Sequence, residues 1–350
     1  MLFTVLQNNH LKVEKVKDMN TYTKIKLLFC FVLFAAAIQN AHAQQEPQYT
    51  QFMYNKLPIN AGYTGARGCL SLRALYRYQW VKIDGSPQTA TFSIHSPLKK
   101  QNNALGFYFV NDRLGVTNQN WFDVTYAYRV PLGKKIRLSI GVNAGLLWYK
   151  SNLASLIRND ISDPVYNQSV NRILPDVGAG LYLYHPLWYV GVSVPNFIKG
   201  SLYNKSQASL ISKDMSAHRS QHFFAMAGGV IPVTKGFKIR PQFLGKYVFA
   251  KDQKVPFEGD FNLSLLIVDR VNIGATYRTT FGKVHNIDKL DNPESVDVNL
   301  EVWPTKQFMI GFAYDYTLSK LQNYNKGSYE VILGYDFAFK NKKFDTPRFF

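Results

Sequence analysis

The sequence is poor in cysteine and in charge, and beyond its first segment it contains no long apolar run. Two cysteines in 350 residues exclude a disulfide-stapled scaffold. Charged residues form only 18% of the chain and hydrophobic residues 46%, a balance that argues against disorder. The nearest approach to a transmembrane helix, Val177 to Val194, is interrupted by His185 and Pro186, which favours two strands joined by a turn. Aromatic residues, in contrast, are abundant and make up 15% of the chain.

Catalytic and cofactor motifs are also missing. The sequence contains no H-E-x-x-H, no G-x-S-x-G and no phosphate-binding loop. His218 and His222 are four residues apart and could form a metal pair on a helix, but in a serine-rich loop that leads into a strand, solvated histidines are the favoured interpretation. The sequence therefore predicts a non-enzymatic protein with no cofactor and no metal site.

Residues 1–43 have the pattern of a secretory signal peptide, with Met19 as the better-placed start. A pair of lysines precedes an apolar core from Leu27 to Ile38, and an A-x-A cleavage site, Ala41-His42-Ala43, lies before Gln44. The apolar core is too short to span a bilayer, which argues against a membrane anchor. The sequence therefore predicts an exported protein.

Export restricts the chemistry of the mature chain. Cys69 becomes the single cysteine, so no intrachain disulfide can form. The removed segment contains five lysines and two acids, so the formal charge falls from +18 to +15. Such a charge suits nucleic acid, anionic lipid or acidic protein. The pattern argues against nucleic acid as a partner, because the protein is predicted to be exported and its basic residues form no stripe interleaved with exposed aromatics.

Apolar and polar residues alternate through the rest of the chain, the period of a strand with two different faces. In 328–339, Tyr329, Leu333 and Phe337 share one face, while Glu330 and Asp336 lie on the other. Fourteen such strands are predicted near residues 69–78, 88–96, 104–111, 120–130, 136–149, 176–184, 188–194, 222–231, 237–250, 256–267, 270–279, 295–303, 307–316 and 328–339.

These strands predict an all-β fold, a single antiparallel up-and-down transmembrane β-barrel over residues 69–339. A soluble sandwich also alternates, but here the apolar face is heavily aromatic and many strands are long enough to cross a membrane at a tilt. Short and long links alternate, as periplasmic turns and extracellular loops do, and an even strand number places both barrel ends on the short-turn side. The predicted location is the outer membrane, with its lipid as a partner.

The mature start, QEPQYTQFMYNKLPINAGYTG, resembles the opening of the PorP/SprF family of Bacteroidetes outer-membrane proteins. Further matching stretches are Arg77-Tyr78-Gln79-Trp80, His95-Ser96-Pro97-Leu98, Ala104-Leu105-Gly106, Tyr126-Ala127-Tyr128-Arg129 and Thr346-Pro347-Arg348-Phe349-Phe350. One departure is Ala61, where the family commonly has proline. The resemblance implies a type IX secretion system component that docks periplasmic machinery, or that secretes or anchors surface cargo such as gliding adhesins. A general diffusion porin is the alternative.

Two segments flank the predicted barrel. Residues 44–68 are polar and turn-rich, and are predicted to be periplasmic or to plug the lumen. Residues 340–350 are predicted to form a basic periplasmic tail. On the short-turn side the basic residues are expected either to attract lipid headgroups or to dock acidic secretion-system proteins. The candidate docking residues are Lys99, Lys100, Lys134, Lys135, Lys340, Lys342, Lys343, Arg348 and Phe350.

Overall fold

The structure is a computed structural model, and it describes residues 46–99, 101–155, 169–202, 219–250, 253–254, 256–281 and 293–337. The predicted signal peptide and the predicted C-terminal tail lie outside these residues. Within the described ranges, no helix is long and apolar enough to cross a membrane.

The described residues form fourteen long strands and two strands of two residues each. In chain order they are β1 Leu70–Tyr78, β2 Gln88–Pro97, β3 Asn103–Leu114, β4 Thr117–Pro131, β5 Arg137–Ser151, β6 Val170–His185, β7 Trp188–Val194, β8 Gln221–Gly229, β9 Ile231–Pro232, β10 Phe237–Ala250, β11 Gln253–Lys254, β12 Phe257–Ile267, β13 Val271–Phe281, β14 Pro293–Val302, β15 Phe308–Thr317 and β16 Ser328–Phe337. Single 3-10 turns lie at Ala61–Tyr63, Leu153–Ser155 and Lys320–Asn323.

The long strands form a closed antiparallel barrel, which confirms the predicted fold and strand number. Each long strand pairs with the next along the chain, β8 pairs with β10, and β16 closes the barrel on β1. The largest difference from the predicted boundaries is at β6, which begins at Val170 rather than near residue 176, because its pairing with β5 continues past Pro175. A closed sheet satisfies the backbone groups that lipid cannot.

Pro241 lies inside β10, where a proline ordinarily removes a ladder hydrogen bond. On one side of β10 the partner changes from β9, which pairs at Ile239, to β8, which pairs from Gln242. Pro241 therefore faces the break between two partner strands, and the ladder is interrupted there in any case.

The barrel has two different ends. At the turn end, links run over 98–102, 132–136, 186–187, 230–236, 268–270 and 303–307, and β1 begins and β16 ends there. At the loop end lie the links 79–87, 115–116, 152–169, 195–220, 251–256, 282–292 and 318–327. The turn end thus carries both ends of the barrel itself, as the even strand number predicts.

The two faces of the wall have opposite polarity. In β16, Tyr329, Leu333 and Phe337 point outward and are 37–44% exposed, whereas Glu330 and Asp336 point inward and are at most 2% exposed. Outward apolar side chains suit contact with lipid. The inward polar side chains are buried although they face the lumen, so the lumen is filled.

Candidate functional site

Residues 46–68, here called the inner segment, fill the lumen. None of them is exposed, and Phe52, Met53 and Leu57 are at most 2% exposed. The segment joins β1 at the turn end, while its first described residue, Glu46, lies beside Arg219 at the loop end. The inner segment therefore runs the length of the barrel, with its amino-terminal end at the loop end.

At the loop end, carboxylates of the wall accept hydrogen bonds from the inner segment. Oε2 and Oε1 of Glu330 accept from the backbone N–H groups of Thr50 and Gln51, at 2.8 and 2.7 Å. The Thr50 hydroxyl donates to Asp315 at 2.7 Å. Arg77 lies 2.6 Å from Asp315 and 3.2 Å from Glu330 and also contacts Thr50. Each carboxylate is thus shared between the inner segment and a buried guanidinium.

A second loop-end contact involves the first described residue of the inner segment. Glu46 lies 3.5 Å from the guanidinium of Arg219, which also binds Asp176 at 3.0 Å, and it lies 3.9 Å from Nδ1 of His222. Burial raises the pKa of Glu46 above its ordinary value, and the positive charge of Arg219 acts in the opposite direction. Arg219 ends the long link 195–220, so it connects that loop to the inner segment.

Further along the wall lies a compact cluster of buried charges. Nζ of Lys246 is 2.5 Å from Glu258 and 2.8 Å from Asp260, and Arg278 is 2.9 Å from Asp260. The side-chain amide of Gln48 donates to Glu258 at 3.1 Å, which joins the inner segment to this cluster. Hydrogen bonds and opposite charges together offset the cost of taking these groups out of water.

In the middle of the barrel, the Ala61–Tyr63 turn lies directly against the wall. The Asn60 side chain accepts from the N–H of Gly62 at 2.8 Å, which caps the turn, and it donates to the backbone carbonyl of Leu181 at 3.1 Å. The hydroxyl of Ser193 donates to the carbonyl of Ile59 at 2.7 Å. The inner segment is thus bound both by the backbone and by the side chains of the wall.

Two inward glycines permit this close approach. A Cβ on Gly141 would overlap the backbone of Ala61, and a Cβ on Gly180 would overlap the Asn60 side chain. Both positions lie on the inward face, where a side chain would otherwise project into the lumen. Gly141 and Gly180, here called the glycine seat, therefore form the surface on which the turn rests.

At the turn end the inner segment is bound by charged side chains and by a histidine ring. Arg67 donates to Asp336 at 2.6 Å, and Arg73 donates to the same carboxylate at 2.9 Å. The N–H of Gly65 donates to Nδ1 of His95 at 3.0 Å, while its carbonyl accepts from Arg129 at 2.6 Å. Here a positive side chain of the inner segment meets a negative group of the wall.

The buried charges are unequally divided along the barrel. Those in the loop-end half are Asp123, Asp176, Glu258, Asp260, Asp297, Asp315 and Glu330 against Arg77, Arg219, Lys246 and Arg278. Those in the turn-end half are Lys56, Arg67, Arg73, Arg129 and Arg240 against Glu301 and Asp336. Carboxylates predominate toward the loop end and cations toward the turn end.

Within the described residues, no group of three or more His, Cys, Asp or Glu side chains is arranged to hold a metal ion. His222 lies in β8, buried at 2% exposure, whereas its proposed metal partner His218 lies outside the described residues. The contacts described inside the barrel are those that bind the inner segment.

Three candidate docking residues lie together at the turn end. Lys99 is in the link before β3, and Lys134 and Lys135 are in the link before β5; all three are exposed. Lys235 and Lys306 are further exposed cations at this end. The remaining candidates fall outside the described residues: Lys100, Lys340, Lys342, Lys343, Arg348 and Phe350.

The family model for the type IX secretion system membrane protein PorP/SprF matches residues 41–335. The chain belongs to this family of outer-membrane barrels. It is therefore a membrane component of type IX secretion, a class of protein expected to interact with other parts of that system. No curated protein matches the chain.

Several solved structures are distantly similar. The KdgM porin is 9% identical, with 77% of this chain and 99% of that chain covered and a TM-score of 0.33. A Pseudomonas aeruginosa FadL homologue is 12% identical, with 77% and 89% covered and a TM-score of 0.41. The CymD monoaromatic hydrocarbon channel is 10% identical, with 87% and 99% covered and a TM-score of 0.44. The barrel architecture rests on the strand pairing above, and these likenesses say nothing about transport.

Proposed function

We propose that this protein is a docking barrel of the type IX secretion system whose lumen is closed by its own inner segment. The observation that carries this is the continuous set of contacts from Glu46 to Arg67, which spans the lumen from one end to the other. Both the wall and the segment contribute buried polar groups to it. A filled lumen suits a protein that binds partners at its ends better than one that conducts solutes.

We place the turn end in the periplasm and the loop end at the cell surface, because short turns on the periplasmic side are usual for such barrels. The turn end then presents Lys99, Lys134 and Lys135 to periplasmic proteins, with the basic tail 340–350 as a peptide handle. Surface cargo would bind at the loop end. An acidic periplasmic protein would complement the positive charge of the turn end.

Conductance separates this proposal from the diffusion porin. The full mature chain, purified and inserted into planar bilayers, is expected to give no large stable currents. Such currents from the unmodified protein would instead establish the porin and sink the closed-lumen proposal.

Docking is tested by co-purification from native membranes. A triple variant, Lys99→Gln/Lys134→Gln/Lys135→Gln, and a deletion of residues 340–350 should each reduce recovery of periplasmic secretion proteins while the barrel remains folded. The matched control removes three exposed cations at the loop end, Lys82→Gln/Lys320→Gln/Lys326→Gln. Equal recovery from all three proteins would show that the turn-end charges serve only solvation and lipid headgroups.

A further inference from the structure

Near the loop end of β3 to β6, the outward face of the barrel becomes polar. These four strands contain 12, 15, 15 and 16 residues, whereas β14 to β16 contain 10 each. They remain paired with one another up to the register Leu114 opposite Thr117 and Ser151 opposite Val170. The added length carries polar residues on the side of the wall that faces the membrane.

Strand register places four of these residues in one row across the outward face. Arg113 lies opposite Asn118, Asn118 opposite Lys150, and Lys150 opposite Asn171. Arg113, Lys150 and Asn171 are exposed, and Asn118 is half-buried. Since neighbouring strands are about 4.8 Å apart, the backbones of the two cationic residues are separated by roughly 10 Å.

The next row toward the apolar band is organised by hydrogen bonds. The Asn111 amide donates to the side-chain oxygens of Asn118 and Asn120, at 2.8 Å in both cases. The indole N–H of Trp148 donates to Asn171 at 2.8 Å, and Nζ of Lys150 lies 3.7 Å from the centre of the Trp148 ring. The cation and the amides are thus held in place by neighbouring side chains.

Directly below these rows the wall becomes apolar. Phe109 lies opposite Phe122, and Phe122 lies opposite Leu146, all on the outward face. Trp148 sits at the boundary, where the amphipathic indole ring is typical of a membrane–water interface. The polar rows are therefore at headgroup height, facing sideways into the membrane.

We propose that this outer ledge, formed by Arg113, Asn118, Lys150, Asn171 and Trp148, binds the phosphorylated headgroup of a glycolipid in the leaflet at the loop end. Two cations and several amide groups can bind phosphate and sugar oxygens, and the described outward positions of these rows contain no carboxylate. A lipid is the matching partner because the face continues into the lipid-facing band. Assignment to the outer leaflet rests on the orientation proposed above.

The test uses the full mature chain in detergent and two probes, rough lipopolysaccharide and the same material after removal of its phosphates. The wild type should bind the phosphorylated form at least about tenfold more tightly, since charge-assisted contacts exceed one factor of ten in affinity. The double variant Arg113→Gln/Lys150→Gln should lose that preference. The control Lys320→Gln/Lys326→Gln removes the same charge from a loop-end link outside the ledge and should keep it.

Equal affinity of the double variant and the wild type for the phosphorylated probe would overturn the proposal, as would equal affinity of the wild type for both probes. Folding is checked by heat-modifiable electrophoretic mobility. If the double variant fails to fold, Lys150→Gln alone is measured against Lys320→Gln, and an unchanged affinity then overturns the proposal. Conductance and co-purification are separate readouts, so failure of the ledge leaves the docking function testable.

Discussion

The two ends of the lumen hold the same segment by opposite chemistry. At the loop end, Glu330 binds two backbone N–H groups of the inner segment, a contact that most residues could make. At the turn end, Arg67 must supply a specific side chain to Asp336. Removing one partner of a buried ion pair costs about 3–5 kcal/mol, whereas a hydrogen bond to a charged group contributes about 1.5–3 kcal/mol. Of these two contacts, the one at the turn end is expected to be the more sensitive to loss of one side chain.

The largest effect is expected at Asp336. Asp336→Ala leaves the guanidinium groups of Arg67 and Arg73 buried without their shared carboxylate, and should lower the free energy of unfolding by about 3–5 kcal/mol. Urea unfolding followed by heat-modifiable mobility measures it. Ser71→Ala is the control, because it removes one 2.8 Å hydrogen bond to the same carboxylate and should cost less, about 1.5–3 kcal/mol. Similar losses in both variants would show that the two ion pairs of Asp336 contribute no more than a single hydrogen bond.

A substitution in the middle of the barrel should change the conductance as well as the stability of the protein. Gly180→Leu places a side chain where Asn60 now lies, so the Ala61–Tyr63 turn must leave the glycine seat. Overpacking typically costs about 1–3 kcal/mol. Displacement of the turn relieves this cost, but it also opens the lumen. The expected result is a new conductance in planar bilayers. Gly133→Leu has open space around its Cβ position and should remain silent.

A smaller, local effect is expected at Glu330. Glu330→Gln keeps the shape of the side chain but removes the charge that binds the N–H groups of Thr50 and Gln51; Arg77 retains Asp315. The free energy required to open the loop-end part of the inner segment should fall by about 1–2 kcal/mol, while the free energy required to open the part near Arg67 should not change. Amide hydrogen exchange read separately over 46–52 and 60–68 checks this. Equal acceleration in both would mean that the segment moves as one unit.

The barrel was predictable from the sequence because a period of two is a local signal. Alternation in each strand fixes which face meets lipid, and closure follows from the need to satisfy backbone groups. The start of β6 was predicted near residue 176, directly after Pro175, whereas pairing with β5 shows that the strand includes Pro175 and begins at Val170.

The contacts of the inner segment were not predictable in the same way. Residues 46–68 have no strand period, and their partners are far away in sequence; Thr50 and Glu330 are separated by 280 positions. One signal was available: Gly141 and Gly180 occupy inward positions where other strands carry polar side chains. Glycine at a lumen-facing position indicates close approach of another backbone, and a search for such positions would have pointed to the seat.

The smallest effect is expected from pH at the loop end. Burial raises the pKa of Glu46 in the folded protein above its ordinary value of 4.5, despite Arg219. The protonated form is therefore the better-tolerated one, so the end of the segment should be held most firmly at or below pH 4.5 and loosen as pH rises through the folded pKa. Hydrogen exchange over 46–50, corrected for its intrinsic pH dependence, should show this trend in the wild type. Glu46→Gln should abolish the trend, and its persistence in that variant would assign it to the neighbouring Asp176 instead.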